Sequence, residues 1–370
     1  MDRGKNRRLG LIIMDTPRLE IDLAKIGHNV REVIKLYGAK GLTMTGVTKG
    51  VCGDPFVAEV YLKNGISVLG DSRIANIRKM RDAGIRAPFI LLRLPAPGEA
   101  EAVVRDCSIS FNSEAKVIRE LSAAAVRNGA RHGVILMVEL GDLREGIMPG
   151  DLGDMVKEVL SLPGIRLAGI GANLACFGGV KPDAKNMGEL SSLALDMEKK
   201  FHIELEYVSA GCSTVYSWLK SVDRVNRVNN VRLGDSFLLG GRDLEEKGIP
   251  GLHYDAFTLV AEVIESKIKP FVPWGEIGLD AFGSIPKFED RGAGRRLILN
   301  IGRQDVLYTQ LYPRVDIEIL GASSDHLIAV ANTAQLQVGD EVKFDVDYGA
   351  MLAAMTSPYV QKVHLNRDSA

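Results

Sequence analysis

From about residue 40 the chain repeats one pattern: a short apolar run ends in Gly, Asn or a charged residue, and an amphipathic stretch follows. The runs Thr43–Val47, Ser67–Leu69, Phe89–Leu94, Ile109–Phe111, Val134–Leu140, Leu167–Leu174, Glu206–Ser209 and Val231–Leu238 predict strands. The stretches between them carry helical spacing. Ile74, Ile77 and Met80 recur every three residues within Ser72–Ala83, Ser113 stands where a helix cap is expected, and Pro149 and Asp151 open a further helix. Strands and helices alternating in this number predict a (β/α)8 TIM barrel. A doubly wound open sheet is the alternative, but its Gly-rich first turn is missing: Lys49-Gly50-Val51-Cys52-Gly53 contains no GxGxxG. After Gly240 the pattern changes to short alternating runs, Phe257–Ile268, Arg296–Ile301, Arg314–Leu320, His326–Val330 and Glu341–Val346, without long helical periods. That predicts a C-terminal all-β domain. The expected organisation is a flexible extension over 1–16, an α/β barrel over 17–244 and a β-domain over 245–370, divided in the polar stretch Arg242–Gly251.

Composition narrows the functional classes. The 370 residues allow one to three domains, and 46% apolar residues can build a large core. With 46 basic and 47 acidic residues the net charge is −1, which argues against nucleic acid or an anionic membrane as partner. No apolar run reaches about 18 residues, so no transmembrane helix is expected. Cys52, Cys107, Cys176 and Cys212 lie far apart with no CxxC pair, which suits a reducing, cytoplasmic setting and offers no metal spacing. Met1–Met14 carries Arg3, Lys5, Arg7 and Arg8 before a short Leu11-Ile12-Ile13 run. It reads as a loose start, or as a lead-in to a start at Met14, rather than as a signal peptide.

Lys49 ends the first alternating run and is followed at once by Gly50. A lysine at the C-terminal tip of a barrel strand stands where barrel chemistry sits. Its amine can form a Schiff base with a carbonyl cofactor. Taken alone, it reads first as a lysine at a sheet rim with its amine in water. The seventh predicted strand runs into Ser209-Ala210-Gly211-Cys212-Ser213-Thr214, a small-residue turn suited to an anion, and the eighth carries Val231-Arg232-Leu233-Gly234-Asp235. Ser213 and Thr214 also fit simple helix capping. Two such turns in the places where barrels bind phosphate, with Lys49 on the first strand, point to a phosphorylated carbonyl cofactor, and pyridoxal phosphate meets both needs.

The chain resembles the alanine racemase family of pyridoxal-phosphate enzymes, and within it the ornithine/lysine racemase branch. The resemblance runs from Pro17–Leu23 to Tyr359. It is carried by Val47-Thr48-Lys49-Gly50, Gly141–Gly146, Gly211-Cys212-Ser213, Val231–Asp235, Gly321–His326 and Asp347-Tyr348-Gly349, in that order. By resemblance, Lys49 is the Schiff-base lysine and first catalytic base. Arg232 faces the pyridine nitrogen; its other reading is an arginine paired to a surface carboxylate. Ser213, Gly234 and Asp235 hold the phosphate, and Tyr348 reaches it, unless Tyr348 is an ordinary half-buried tyrosine in a sheet. Arg144 lies near the cofactor phenolate and the substrate carboxylate. Ser324 and Asp325 serve the substrate, with Asp325 catalytic and brought in from a partner subunit; Asp325 also fits a plain turn. A homodimer with shared active sites follows from the same resemblance.

The chain departs from the alanine racemase pattern at three places. Gly53 stands where a tyrosine is expected, which suggests room for a longer substrate side chain. Asn173 replaces a histidine. Phe282 replaces the tyrosine that serves as second base, within Gly275–Gly283. Asp280, two residues earlier, takes the second base's role if Trp274, Leu279 and Phe282 shield its carboxylate and raise its pKa; Cys176, Cys212 and a water held by Asp325 are rivals. The expected activity is racemization of an amino acid, basic (ornithine or lysine) or broad in specificity and including alanine. A noncatalytic pyridoxal-phosphate-binding relative and an amino-acid decarboxylase of the same architecture are the alternatives. The absence of any cysteine from the β-domain counts against the decarboxylase.

Overall fold

Strand β1 (Arg18–Asp22) ends in a helix cap: the Asp22 carboxylate accepts the N–H groups of Ala24 (3.1 Å) and Lys25 (3.2 Å). In α1 (Leu23–Gly38), Leu23, Ile26, Val30, Val33 and Tyr37 fall on one buried face, the spacing of an amphipathic helix. This computed structural model describes residues 15–241 and 248–366. Most of the expected extension and the expected boundary at 244/245 therefore lie outside the described residues.

Eight parallel strands close into a barrel: β2 (Thr43–Val47), β3 (Val68–Asp71), β4 (Phe89–Leu91), β5 (Ile109–Asn112), β6 (His132–Val138), β7 (Ile165–Ala172), β8 (Tyr207–Ala210) and β9 (Asn230–Leu233). Closure is made by β2 against β9, with Thr45 beside Arg232 and Gly46 beside Leu233. Ile90, Ile109, Phe111, Ile135, Met137 and Ala168 pack together from neighbouring strands, each large side chain contributing about 1.5–3 kcal/mol of burial. The intervening helices are α2 (Pro55–Lys63), α3 (Ile74–Asp82), α4 (Ala100–Asp106), α5 (Ala115–Arg127), α6 (Leu152–Ser161), α7 (Ala184–Phe201) and α8 (Tyr216–Ser221). Two local expectations are corrected. The run Val231–Leu238 is not one strand: β9 stops at Leu233, and Asp235–Leu238 turns into a short helix, α9. Ser113 does not cap α5, whose first flanking residue is Glu114.

The second sheet is antiparallel. It is built from β10 (Phe257–Pro270), β11 (Ala293–Leu299), β12 (Leu311–Pro313), β13 (Ile317–Ala322), β14 (Leu327–Ala331) and β15 (Glu341–Val346), in the order β12-β15-β10-β11-β14-β13. β1 pairs with β10 and with β16 (Gln361–Leu365). By compactness, the described residues from Asp22 to Ala256 form the barrel unit, and Phe257–Val363 forms the β unit together with residues 15–21. The β unit is not free of helix. α10 (Tyr348–Thr356) buries Ala350, Met351, Ala354 and Met355. Its sequence is apolar on nearly every side, so it lacks the polar face that reveals a helix. No described helix is long and apolar enough to cross a membrane.

Candidate active site

Lys49 follows β2 by two residues and opens a single 3₁₀ turn, Lys49–Val51. Its side chain is exposed. The turn beneath it is fixed. Buried Thr48 donates its hydroxyl to Asp71 Oδ2 (2.7 Å), and Asp71 Oδ1 accepts Arg73 N–H and Asn76 Nδ2, each at 2.9 Å. Burial pushes the Asp71 carboxyl up, outweighing these donors. Gly53 does not make space for a substrate. It has φ +58°, and a Cβ there would lie 2.7 Å from Asn76 Cβ and 2.8 Å from Asn76 O. The position is filled by the backbone of α3, and only glycine fits it.

Arg232 is buried in β9, and the alternative of a surface ion pair is ruled out. Its guanidinium donates to Ser209 O (3.2 Å), Ser209 Oγ (2.9 Å), Ala172 O (2.9 Å) and Asn173 Oδ1 (3.2 Å), and lies 5.1 Å from the Phe111 ring centre. No described carboxylate pairs with it. Burial pushes its pKa down to about 10, so it stays a cation at neutral pH. The β2–β9 register carries the chain from Arg232 to Gly234 as it carries Thr45 to Val47. A Cβ on Gly234 would lie 3.1 Å from Val47 O. The turn after β9 thus presses on the end of β2, two residues before Lys49. Ser213 does not cap its own helix; its hydroxyl accepts Ser236 N–H (3.1 Å) and joins the turn after β8 to α9, where Asp235 is the first residue. Lys49, Ser213, Arg232, Gly234 and Asp235 therefore gather at the C-terminal end of the barrel.

Arg144 sits on the loop after β6, half exposed and hydrogen-bonded to Glu145, which raises its pKa further. That loop is tied to the loop after β7 by buried Asp142, which accepts N–H groups of Cys176 (3.3 Å), Phe177 (3.0 Å) and Val180 (3.2 Å). Burial opposes ionisation of Asp142, but the N–H groups hold its carboxyl below the usual range.

The β unit gathers a second group of side chains. Arg303 lies 3.9 Å from the Phe282 ring centre and 5.3 Å from that of Tyr308. Its backbone N–H donates to Ser323 O (2.9 Å), and Gln304 N–H donates to Ser324 O (3.2 Å). Ser324 Oγ donates to Asp325 Oδ2 (2.5 Å), and the Gln304 amide also bonds Asp325. Asp280 does not meet the expectation of a shielded carboxylate. Trp274, Leu279 and Phe282 are exposed. Asp280 Oδ1 accepts the N–H groups of Ser284 and Phe282, both at 2.9 Å, and these bonds hold its pKa down rather than up. Tyr348 is not in a sheet: it is the first residue of α10, and Gly349 N–H donates to Gln310 Oε1 (2.7 Å). Arg303, Ser209 and Asp71 are the residues missed from sequence. Ser209 is a single polar residue in an apolar strand, and its partner Arg232 lies 23 residues on; Asp71 meets Thr48, 23 residues before it, only across neighbouring strands.

A family model described as alanine racemase, N-terminal domain, matches residues 21–241. An ornithine racemase from Acetoanaerobium sticklandii is 38% identical over 94% of this chain and 99% of its own length. A lysine racemase from Thermotoga maritima is 38% identical over 94% of this chain and 98% of its own. Among solved structures, the alanine racemase of Streptomyces coelicolor A3(2) superposes with a TM-score of 0.73 at 18% identity, covering 94% of this chain and 98% of that one. A histidine racemase from Leuconostoc mesenteroides gives 0.68 at 18%, covering 96% and 99%. Those two likenesses speak for the fold, while the barrel match and the two full-length relatives speak for descent: this chain belongs to the alanine racemase family.

Proposed function

We propose that the protein is a pyridoxal-phosphate-dependent amino-acid racemase acting on basic amino acids, ornithine and lysine foremost, by proton exchange at Cα between two bases. The substrate class rests on the two full-length relatives, which are an ornithine racemase and a lysine racemase. The observation that carries the cofactor reading is Arg232, a permanent cation inside the barrel whose hydrogen-bond partners are neutral oxygens. Pyridoxal phosphate supplies an electron sink that acidifies the Cα–H of a bound amino acid. Its parts fit the residues at the barrel mouth. Arg232 can donate to a ring nitrogen but cannot protonate it, which limits charge delocalisation and favours return of the proton to Cα. Ser213, with the N–H groups at Gly234 and Asp235, suits a phosphate. The Lys49 amine makes no hydrogen bond or ion pair among the described residues, so it is available to hold a carbonyl carbon and to take or return a proton on one face. Arg144 is assigned to the substrate carboxylate.

The second base belongs to the β-unit group. There the carboxylates of Asp280 and Asp325 and the hydroxyl of Ser324 are the proton-bearing candidates, while Phe282 has none. We also assign a cytoplasmic homodimer with shared active sites, to which each chain lends Asp325; Tyr348 is assigned to the cofactor phosphate. Chiral chromatography after incubation of the holoenzyme with L- and D-ornithine, lysine and alanine tests the function. Loss of optical purity from either enantiomer of a basic amino acid is expected. Release of carbon dioxide without enantiomer interconversion would overturn the reading.

A further inference from the structure

Asp71 divides its carboxylate oxygens between the start of α3 and the turn that carries Lys49. Oδ1 accepts the Arg73 N–H and the Asn76 side-chain amide, each at 2.9 Å. Oδ2 accepts the Thr48 hydroxyl at 2.7 Å. Asp71 and Thr48 are both fully buried. We propose that Asp71 is a positioning residue for Lys49, acting through the Thr48 hydroxyl to fix the turn from which the lysine side chain leaves; the catalytic consequence rests on the function proposed above.

A simpler role for Asp71 is to cap α3. A cap needs one acceptor, and a neutral amide or hydroxyl side chain supplies it without the cost of burying a carboxyl. Here the second oxygen takes its donor from outside the helix, 23 residues earlier in the chain. Capping does not require that bond.

The turn depends on Thr48. Its backbone N–H donates to Gly70 O (2.9 Å), and its carbonyl accepts the N–H groups of Val51 and Gly53, each at 3.1 Å. Lys49 O accepts Cys52 N–H at 3.2 Å. Cys52 and Gly53 have φ of +51° and +58°. A residue with a Cβ, such as Cys52, adopts that left-handed region only where its surroundings enforce it. The enforcement comes from α3 and the residues before it. Asp71 holds Thr48 at the start of the turn. Lys79 Nζ donates to Cys52 O at 3.2 Å. Asn76, which bonds Asp71, lies against Gly53 at the end of the turn. The Lys49 side chain contributes no hold of its own. Its amine is exposed and makes no hydrogen bond or ion pair among the described residues, so the backbone sets its direction. For a group that has to meet a carbonyl carbon, a displacement of about 1 Å can cost about 10²-fold.

Thr48→Val and Thr48→Ser separate positioning from capping. Val removes the hydroxyl with little change of shape, and Ser keeps it. Neither variant touches the bonds from Asp71 to Arg73 and Asn76. In the first arm, hydrogen exchange of the peptide covering Val51 and Gly53 is followed by mass spectrometry in protein without cofactor, relative to a peptide from α5 in the same sample. Exchange at least about tenfold faster in Thr48→Val than in Thr48→Ser is expected; a smaller ratio overturns the hold on the turn. In the second arm, pyridoxal phosphate is added to each protein, its visible absorbance is followed, and borohydride locates its attachment. An apparent Kd at least about tenfold weaker for Thr48→Val than for Thr48→Ser is expected; a smaller ratio overturns the catalytic consequence. Wild-type protein that takes up no cofactor at Lys49 overturns the proposed function instead, and the exchange ratio still decides whether the turn is held this way. Asp71→Ala should lose at least as much as Thr48→Val in both arms, and wild-type behaviour in that variant overturns the proposal. Should Asp71→Ala fail to fold, the Thr48 pair decides.

Discussion

Arg232 and Arg303 are both cations without an ion-pair partner among the described residues, one in each unit, and they are held in different ways. Arg232 is fixed by four oxygens at the ends of β7 and β8, two of them backbone carbonyls of the barrel itself. Arg303 rests on the faces of Phe282 and Tyr308; its terminal N–H donates to Tyr308 Oη at 3.5 Å, and its Nε is buried without an acceptor. A cation held by strand ends keeps one position as long as the barrel exists. A cation held by ring faces moves when a loop side chain moves. The donor and acceptor groups around Arg232 are thus preformed, whereas the Arg303 group is built from parts that can rearrange.

The largest expected effect is at Lys49. On the proposed function, Lys49→Ala should lower racemization by at least about 10³-fold, since that reading gives Lys49 both the cofactor and one proton transfer. Its stability should stay within about 0.5 kcal/mol of wild type, because the exposed amine makes no bonds. Borohydride reduction of the holoenzyme should fix the cofactor to the Lys49 peptide. A label on another lysine, or a variant as active as wild type, would end the assignment.

Arg232→Leu tests how firmly the barrel depends on its buried cation. It leaves the oxygens of Ser209, Ala172 and Asn173 without their donor, which should cost about 2–4 kcal/mol in urea unfolding. A change below about 1 kcal/mol would mean that water replaces the guanidinium and that the site is less closed than the hydrogen bonds imply.

The barrel was legible in the sequence because its strands are apolar runs bounded by turn residues, as β2 is at Thr43–Val47; in the β unit, β15 falls where the alternation of Glu341–Val346 puts it. Arg232 was legible by likeness, but its neutral partners were not. Ser209, Ala172 and Asn173 lie 23 to 60 residues away and meet it only through closure of the barrel. The misreadings share a cause. Val231–Leu238 carries two apolar residues on each side of Gly234, and so short a run gives no periodicity that separates a strand from a helix turn. Gly53 looked like space and is contact. Asp280 looked shielded because apolar residues flank it in sequence, but in a loop such neighbours need not fold over it.

Asp142 offers a pH test on the barrel side. Its folded pKa is depressed, so its contribution is fully present above the ordinary aspartate value near about 4 and is lost as pH falls through the lower folded value. Asp142→Ala leaves the N–H groups of Cys176, Phe177 and Val180 without an acceptor and should cost about 2–3 kcal/mol at pH 7. The gap between variant and wild type should narrow below pH 4. A gap that stays constant down to pH 2 would show that the loss is of packing rather than of charge.

The smallest effect is expected at Asp280, which the sequence offered for the second base. Its carboxylate is committed to two backbone N–H groups and is held below the usual range by them, with Arg303 adding to the same direction. A base so depressed is a weak proton acceptor near neutral pH. Asp280→Asn keeps an oxygen able to accept from Ser284 and Phe282, so the turn should survive. Washout of Cα deuterium from D- and L-substrate should each change by less than about tenfold, and the pH profile should keep its shape. Arg303→Leu, by contrast, removes the cation that rests on Phe282. It should cost no more than about 0.5–2 kcal/mol of stability, yet should slow washout from one enantiomer more than from the other if this group serves the face opposite Lys49. Selective loss of washout from one enantiomer in Asp280→Asn instead would make Asp280 the second base. It would also mean that the loop closes over that carboxylate when substrate binds.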